Sequence, residues 1–496
     1  MIKTESFPDM LEKAGQRISR ILKEETPVQR KLRPVFHLSN PAGWINDPNG
    51  FSLFKGKYHL FAQHNPYSTY WGAMHWAHFT TEDFIHWKTE PEALAPDHDY
   101  DRGGCFSGTA MDDDGKHVLL YTGVTENGQA QCLAIGNGTE YGKAVQNPVI
   151  TSDQLPVGSS RKDFRDPKLW KDGTTYFALM GSKTFAEKKS YGQVVLYSSK
   201  NLTTWKFENI LASSRDLYGY GEMWECPDFF RLGERSILIV SPQFMEAHGN
   251  LYHGGNNTIC LIGNYNRTKY RLENYIIVPF EYGLDFYAPQ TICSADGRRI
   301  AVGWLQSWDN RLTPDSFLWS GIMSIPRELT LRNGKLYQNP VRELERFRTG
   351  PLCRQGSCSD GELVSFNGIS GRCIDMTVDV EAGRYNVFEI RFACDEHHYT
   401  SIQYDRRTGL CTFNRLFSGV RRDFISTRAF PVSDKNGRIR FRILLDVWTA
   451  ELFVNDGEQA FSSLIYTDLT ADGVEFLQSG SKTPVNFSVE KFTVSL

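Results

Sequence analysis

The 496-residue sequence predicts an all-β protein: a five-bladed β-propeller followed by a C-terminal β-sandwich, with a short N-terminal helix. Three observations predict it. A strand–turn–strand unit recurs with starts at residues 47, 106, 166, 225 and 285, spaced by about sixty residues. From residue 351 the repeat gives way to strands of alternating apolar and polar residues. Ahead of both, Met10, Leu11, Ala14, Ile18, Ile21 and Leu22 recur at helical spacing.

Taken in order, residues 1–34 form a helical extension whose amphipathic helix runs from residue 9 to 25. Residues 35–339 hold the repeats. The first continues as "FSLFKGKYHLFAQ", and the others read "FSGTAMDDDGKHVLLYTG", "DPKLWKDGTTYFALMGS", "ECPDFFRLGERSILIVSPQ" and "DFYAPQTICSADGRRIAVGW". Each passes from a strand through a Gly or Asp-Gly turn into a second apolar strand, as a blade requires. A short helical linker, "NPVRELERFR", falls within 340–350. Residues 351–496 then carry "RYNVFEIRFA", "RIRFRILLDVW" and "AELFVND", which suit two packed sheets.

Bulk properties exclude several function classes. A net charge of -3 gives no electrostatic reason to expect nucleic acid or an anionic membrane as partner. Aromatic residues at 13% and 42 glycines suit short strands, tight turns and the flat faces that stack on sugars. No stretch has the length of a signal peptide or membrane span, so a cytoplasmic protein is expected. The ten cysteines are scattered, and Cys353 and Cys358 have no metal-ligating neighbours, so packed thiols are expected, with neither metal nor cofactor.

The repeat has a chemical consequence. Equivalent positions at the start of each innermost strand converge at one end of a propeller channel. Three of them hold a carboxylate near a proline: Asp47 in "WINDPNG", Asp166 in "FRDP" and Glu225 in "WECP". Asp285 lies close to the same phase in the fifth unit. Turn chemistry explains any one of these acids. Gathering them costs repulsion, which also drives their proton affinities apart. Glycosidic bond cleavage needs that: one carboxyl protonated to assist departure, another ionised to attack.

Those three motifs, with "FSGT" and "FYAPQ" in this order, resemble glycoside hydrolase family 32, the invertase and fructan hydrolase group, from residue 35 to the end. The resemblance implies a five-bladed propeller with a β-sandwich and retaining hydrolysis of β-fructofuranosides. Carried onto this sequence, it makes Asp47 the nucleophile, Glu225 the acid and base, and Asp166 the transition-state stabiliser gripping ring hydroxyls. Retention implies Asp47 and Glu225 carboxyls roughly 5 to 5.5 Å apart. It further implies that Trp44, Asn46, Gln63, Trp71, Phe106, Ser107, Tyr287 and Trp304 form the fructose pocket. Arg165 is expected to hold Asp166 ionised, and Cys226 to tune Glu225. Asp285 is expected to orient neighbouring groups, and His64, His75, His78 and His86 to support structure.

Departures from the family pattern at Ile45, Ala62 and Ala77 touch only the outer pocket, hence the choice of leaving sugar. The expected substrate is sucrose 6-phosphate or sucrose. The alternatives are a short-chain fructan exo-hydrolase, a fructosyltransferase in which a sugar replaces water, or a propeller that binds sugar without turning it over. Arg102, Arg161 and Lys162 are available to a phosphate, but a charged loop is ordinarily only solvated. The sequence leaves oligomeric state open.

Overall fold

A computed structural model describes residues 2–5, 8–419 and 424–496. The architecture is all-β. Five sheets of four or five strands follow one another, led by Gly43–Phe54, Gly104–Asp113, Ser159–Asp172, Met223–Leu232 and Tyr287–Cys293; Thr4–Glu5 adds a fifth strand to the second sheet and Trp319–Ser320 a fifth to the first. Two six-stranded sheets succeed them, within residues 348–494. The helix Pro8–Glu24 packs against Lys88–Leu94 of the first sheet, and a second short helix, Pro27–Arg30, has a capping box between Thr26 and Gln29. A 3-10 turn, Arg342–Phe347, joins the two groups of sheets.

The leading strands touch in cyclic order, each against the next, and the fifth returns to the first. Each carries a register shift, in turn Ile45/Pro48, Phe106/Gly108, Arg165/Lys168, Glu225/Asp228 and Tyr287/Gln290, with a second at Asn49/Ser52 in the first and at Ser159/Phe164 in the third. Bulges of this kind re-aim a side chain and release a backbone N–H from the ladder. Each sheet gives such an N–H to a side chain of the sheet before it. Gly108 donates to Asn49, Asp166 to Thr122, Cys226 to Asp166 and Ala288 to Ser241, at 3.0 to 3.3 Å. Phe51 of the first sheet closes the cycle on Gln290, 3.2 Å away. Asp166 (φ 62°), Cys226 (φ 48°) and Ala288 (φ 52°) are left-handed, a conformation that costs a residue with a Cβ about 1–2 kcal/mol. The strand Trp319–Ser320 also pairs in parallel with Gly43 and Trp44.

The two six-stranded sheets share one apolar cluster, with Ile374, Met376 and Val378 facing Phe388, Ile390 and Phe476. Their alternating burial follows from period-two patterning. A second cluster brings Leu444, Phe453 and Val494 against Trp44, Ile45 and Trp304 of the first and fifth sheets. Buried charges cross the same boundary. Arg327, fully buried, donates to Glu281 and Glu451, and His37 lies 2.9 Å from Asp446 and 2.8 Å from Glu451.

Burial alone would depress the His37 imidazole, but its hydrogen bonds to Asp446 and Glu451 overcome this and raise it to about 9. A raised imidazole stabilises the folded state fully below its ordinary value of 6.5, and that contribution is lost as pH rises through about 9. The free energy of unfolding is therefore expected to fall across that window by up to roughly 3 kcal/mol, at 1.36 per unit. His37→Gln should flatten the dependence. An unchanged slope in urea melts of that variant would refute the assignment.

Candidate active site

At the first bulge, Asp47 is received by four donors. Asn46 Nδ2 donates to Oδ1 at 3.0 Å; Ser107 Oγ and Gln63 Nε2 donate to Oδ2 at 2.7 and 3.1 Å. The fourth, the Cys226 thiol, reaches Oδ2 at 3.6 Å. Trp44 Nε1 fixes Asn46 by donating to its Oδ1 at 2.8 Å. At the third bulge, Asp166 Oδ2 accepts from the Cys226 backbone N–H at 3.0 Å and lies 3.5 Å from its thiol, whose single proton goes to one of the two aspartates at a time. At the fourth, Glu225 Oε1 accepts from Arg165 Nε at 2.8 Å, and Oε2 lies 2.7 Å from the Tyr287 hydroxyl. All three carboxylates are under a tenth exposed, yet they open into one cavity of about 400 Å³.

That cavity is lined by seven of the expected residues: Asp47, Gln63, Trp71, Phe106, Arg165, Asp166 and Glu225. Trp71 stands half-exposed at the rim, edge-on to Phe106 at 5.8 Å between centroids. Asn46, Ser107, Cys226 and Tyr287 lie behind, bonded to the acids. Trp44 and Trp304 are buried in the wall, 5.7 Å apart, with Trp308 rather than Trp304 at the surface of the cavity. A wider cleft of about 1060 Å³ lies at the far ends of the same strands and holds none of the three acids.

Arg165 favours the ionised form of Asp166 through its charge, while its guanidinium hydrogen-bonds Glu225, Asp163 and Gln129 instead. The expectation for Cys226 needs correction. Cys226 touches Asp47 and Asp166 rather than Glu225, since its own left-handed backbone points it inward. Asp285 lies away from the pocket. It pairs with Arg415 and accepts from the Leu464 backbone, tying the fifth sheet to the C-terminal sheets. The histidines bond elsewhere: His64 to Glu92, His75 to the Ala73 carbonyl, His78 to His59 and His86 to Asp83. Asp97, His98 and Asp101 have metal-like spacing, but the Lys143 ammonium already sits 2.5 Å from both aspartates, supplying the positive charge.

Sequence reasoning missed Gln129, Asp163, Gln243 and Trp308, which also line the cavity. Asp163 precedes "FRDP" by one residue and Gln243 ends the fourth repeat, so their phase was readable. Gln129 and Trp308 lie off the leading strands and carry no such signal.

The electrostatics follow from burial and crowding. Desolvation, then the Glu225 charge, raises Asp47, while donors from Ser107, Asn46 and Cys226 pull it back. The same two causes push Asp166 up to about 7 against the opposing charge of Arg165. Burial, reinforced by the three carboxylates, raises Cys226 far above an ordinary thiol, so it remains a donor. Tyr287 has one proton and two acceptors, Glu225 Oε2 at 2.7 Å and the Ser241 carbonyl at 2.9 Å. It donates to an ionised Glu225. When Glu225 carries the proton, Tyr287 accepts it and donates to Ser241 instead. Both protonation states of Glu225 are thereby satisfied.

Ordered acids of this kind converge with the sequence comparisons. Residues 37–340 match the profile of the glycosyl hydrolases family 32 N-terminal domain, and residues 343–495 that of the glycosyl hydrolases family 32 C terminal. The chain belongs to glycoside hydrolase family 32. Among family 32 relatives, it is 37% identical to a raffinose invertase of Escherichia coli over 87% of this chain and 89% of that protein. It is 34% identical to a sucrose-6-phosphate hydrolase of Escherichia coli, over 90% and 94%. Its fold matches the family 32 β-fructofuranosidase BmSUC1 of Bombyx mori with a TM-score of 0.83, at 32% identity over 99% of each chain. Among the described residues, no helix is long and apolar enough to cross a membrane.

Proposed function

We propose that this family 32 protein is a retaining β-fructofuranosidase that splits sucrose 6-phosphate or sucrose at the fructosyl C2. The observation that carries this reading is the convergence of Asp47, Asp166 and Glu225 in one cavity, each with its own set of donors. The relatives named as raffinose invertase and sucrose-6-phosphate hydrolase, and the Bombyx mori enzyme, a mutant of which is solved in complex with sucrose, support the substrate class.

In this reading Asp47 attacks C2 as the carboxylate, Glu225 passes its proton to the departing aldose oxygen, and the C2–O bond breaks. Water then enters; Glu225 takes its proton, the oxygen bonds C2 and the Asp47 ester is released. Asp166 accepts from fructosyl hydroxyls as positive charge develops on the ring. Gln63 and Asn46 suit a polyol, and Trp71 and Phe106 supply its walls. The five sheets of residues 35–339 serve as propeller blades, residues 340–350 as linker and the C-terminal sheets of 351–496 as a supporting sandwich. A phosphorylated disaccharide delivered by uptake places the work in the cytoplasm.

The direct test is fructose release from sucrose and sucrose 6-phosphate, with the first-formed anomer read by NMR. Retention yields β-fructofuranose. Oligosaccharides growing at high sucrose would make the protein a transferase, and no turnover would leave a binding module. A sharper expectation concerns pH. Ser107 is the strongest of the donors that hold Asp47 down. Ser107→Ala raises that carboxyl, so the ionised nucleophile is lost at higher pH and the acidic limb of kcat/KM moves to higher pH. A limb that stays in place would remove Asp47 from that role.

A further inference from the structure

The cations near the cavity differ in what they are doing. Arg102 is tied to Asp99 and Arg161 to Asp153, both away from the acids. Arg165, inside the cavity, is committed to Glu225, Gln129 and Asp163. Lys162 is the other basic residue lining the cavity, on the strand Ser159–Asp172 that also carries Asp166. It is exposed, and among the described residues it makes no hydrogen bond or ion pair. Its acidic neighbour Asp163 is taken up by Ser160 at 2.8 Å, Arg165 at 3.2 Å and Lys183 at 3.9 Å. Lys183 comes from the next strand of the same sheet, so Asp163 is already met by two cations, Arg165 and Lys183, and Lys162 is left without an acidic partner. A positive excess thus sits on the third sheet's side of a cavity whose floor is acidic.

That distribution matters for a charged leaving group. The ionised Asp47, and Asp166 when it is ionised, repel a phosphate dianion brought within a few ångströms, an interaction only partly screened at an open mouth. A substrate phosphorylated on the aldose therefore needs a cation on the leaving-group side. An ammonium on a flexible stem suits a phosphate as a point charge. We propose that Lys162 is the residue that reads the charge of the leaving sugar, binding a phosphomonoester on the aldose and so setting preference for a phosphorylated over a neutral fructoside. This rests on the fructosidase reading above and names the group that sets its substrate choice.

The test compares kcat/KM for sucrose 6-phosphate and sucrose in the parent protein, Lys162→Met and Lys162→Arg. A charge-assisted contact at this site is expected to change the ratio of the two constants by about tenfold or more on Lys162→Met, carried mainly by KM for the phosphorylated substrate. Lys162→Arg should recover most of it. Added salt should lower the parent's ratio and leave that of Lys162→Met nearly flat. A ratio within about twofold of the parent's in Lys162→Met, or a parent that treats both substrates alike, overturns the proposal. A fold defect lowers both constants together, and the arginine variant and the salt series then decide. Failure of the fructosidase reading itself looks different: the parent releases no fructose from either sugar.

Discussion

Asp47→Asn is expected to fold and to lose turnover of sucrose by about four orders of magnitude or more, roughly 5.5 kcal/mol of barrier. An amide is the right shape but has no anion to attack C2. The fold should survive because the site can accommodate an amide. Oδ2 receives Ser107, Gln63 and Cys226, while Oδ1 receives only Asn46. An asparagine turned with its oxygen toward the three donors leaves one clash, with the Asn46 amide, at a cost of about 1–3 kcal/mol. Circular dichroism and a melting curve check the fold, and a fructose assay the chemistry. Near-parental turnover would sink the assignment of the nucleophile.

Glu225→Gln should divide substrates by their leaving group. Sucrose needs a proton to depart, so its rate is expected to fall by about 10²–10⁴. An aryl fructoside with an acidic phenol leaves unaided, and its first step should be nearly preserved. Water attack then lacks a base, so the covalent intermediate accumulates and the phenol appears as a burst followed by a slow steady state. Equal losses on both substrates would give Glu225 another role. The hydroxyl of Tyr287, able to donate either to Glu225 or to the Ser241 carbonyl, is the structural ground for expecting both stages to pass through this carboxyl.

Much of this was readable before any coordinates. The five starts follow from turn residues and strand periodicity, which act locally, whereas the expected switch at 351 falls inside the strand Arg348–Cys358. The acids stood out because they shared a phase of the repeat. What stayed hidden depends on backbone turns of a few residues. Asp285 shares the phase of the other acids but falls two residues before its strand begins, so it meets Arg415, just past the strand Leu410–Asn414 far along the chain. Arg165 adjoins Asp166 in sequence, yet the left-handed φ of Asp166 separates their side chains, and its guanidinium reaches across to Glu225. Trp308 adjoins the cavity through a loop whose course is set by its packing on Trp304. Contacts of that kind carry no periodicity.

The cycle of bulge hydrogen bonds, from Gly108 to Asn49 and round to Phe51 on Gln290, bears on where the covalent chain could be cut. A hoop held by contacts between every adjacent pair of staves does not depend on which two staves hold the chain's ends. A circular permutant opened between the third and fourth sheets would retain every one of those bonds. The nucleophile and the acid, now on opposite arms of the new chain, would still meet.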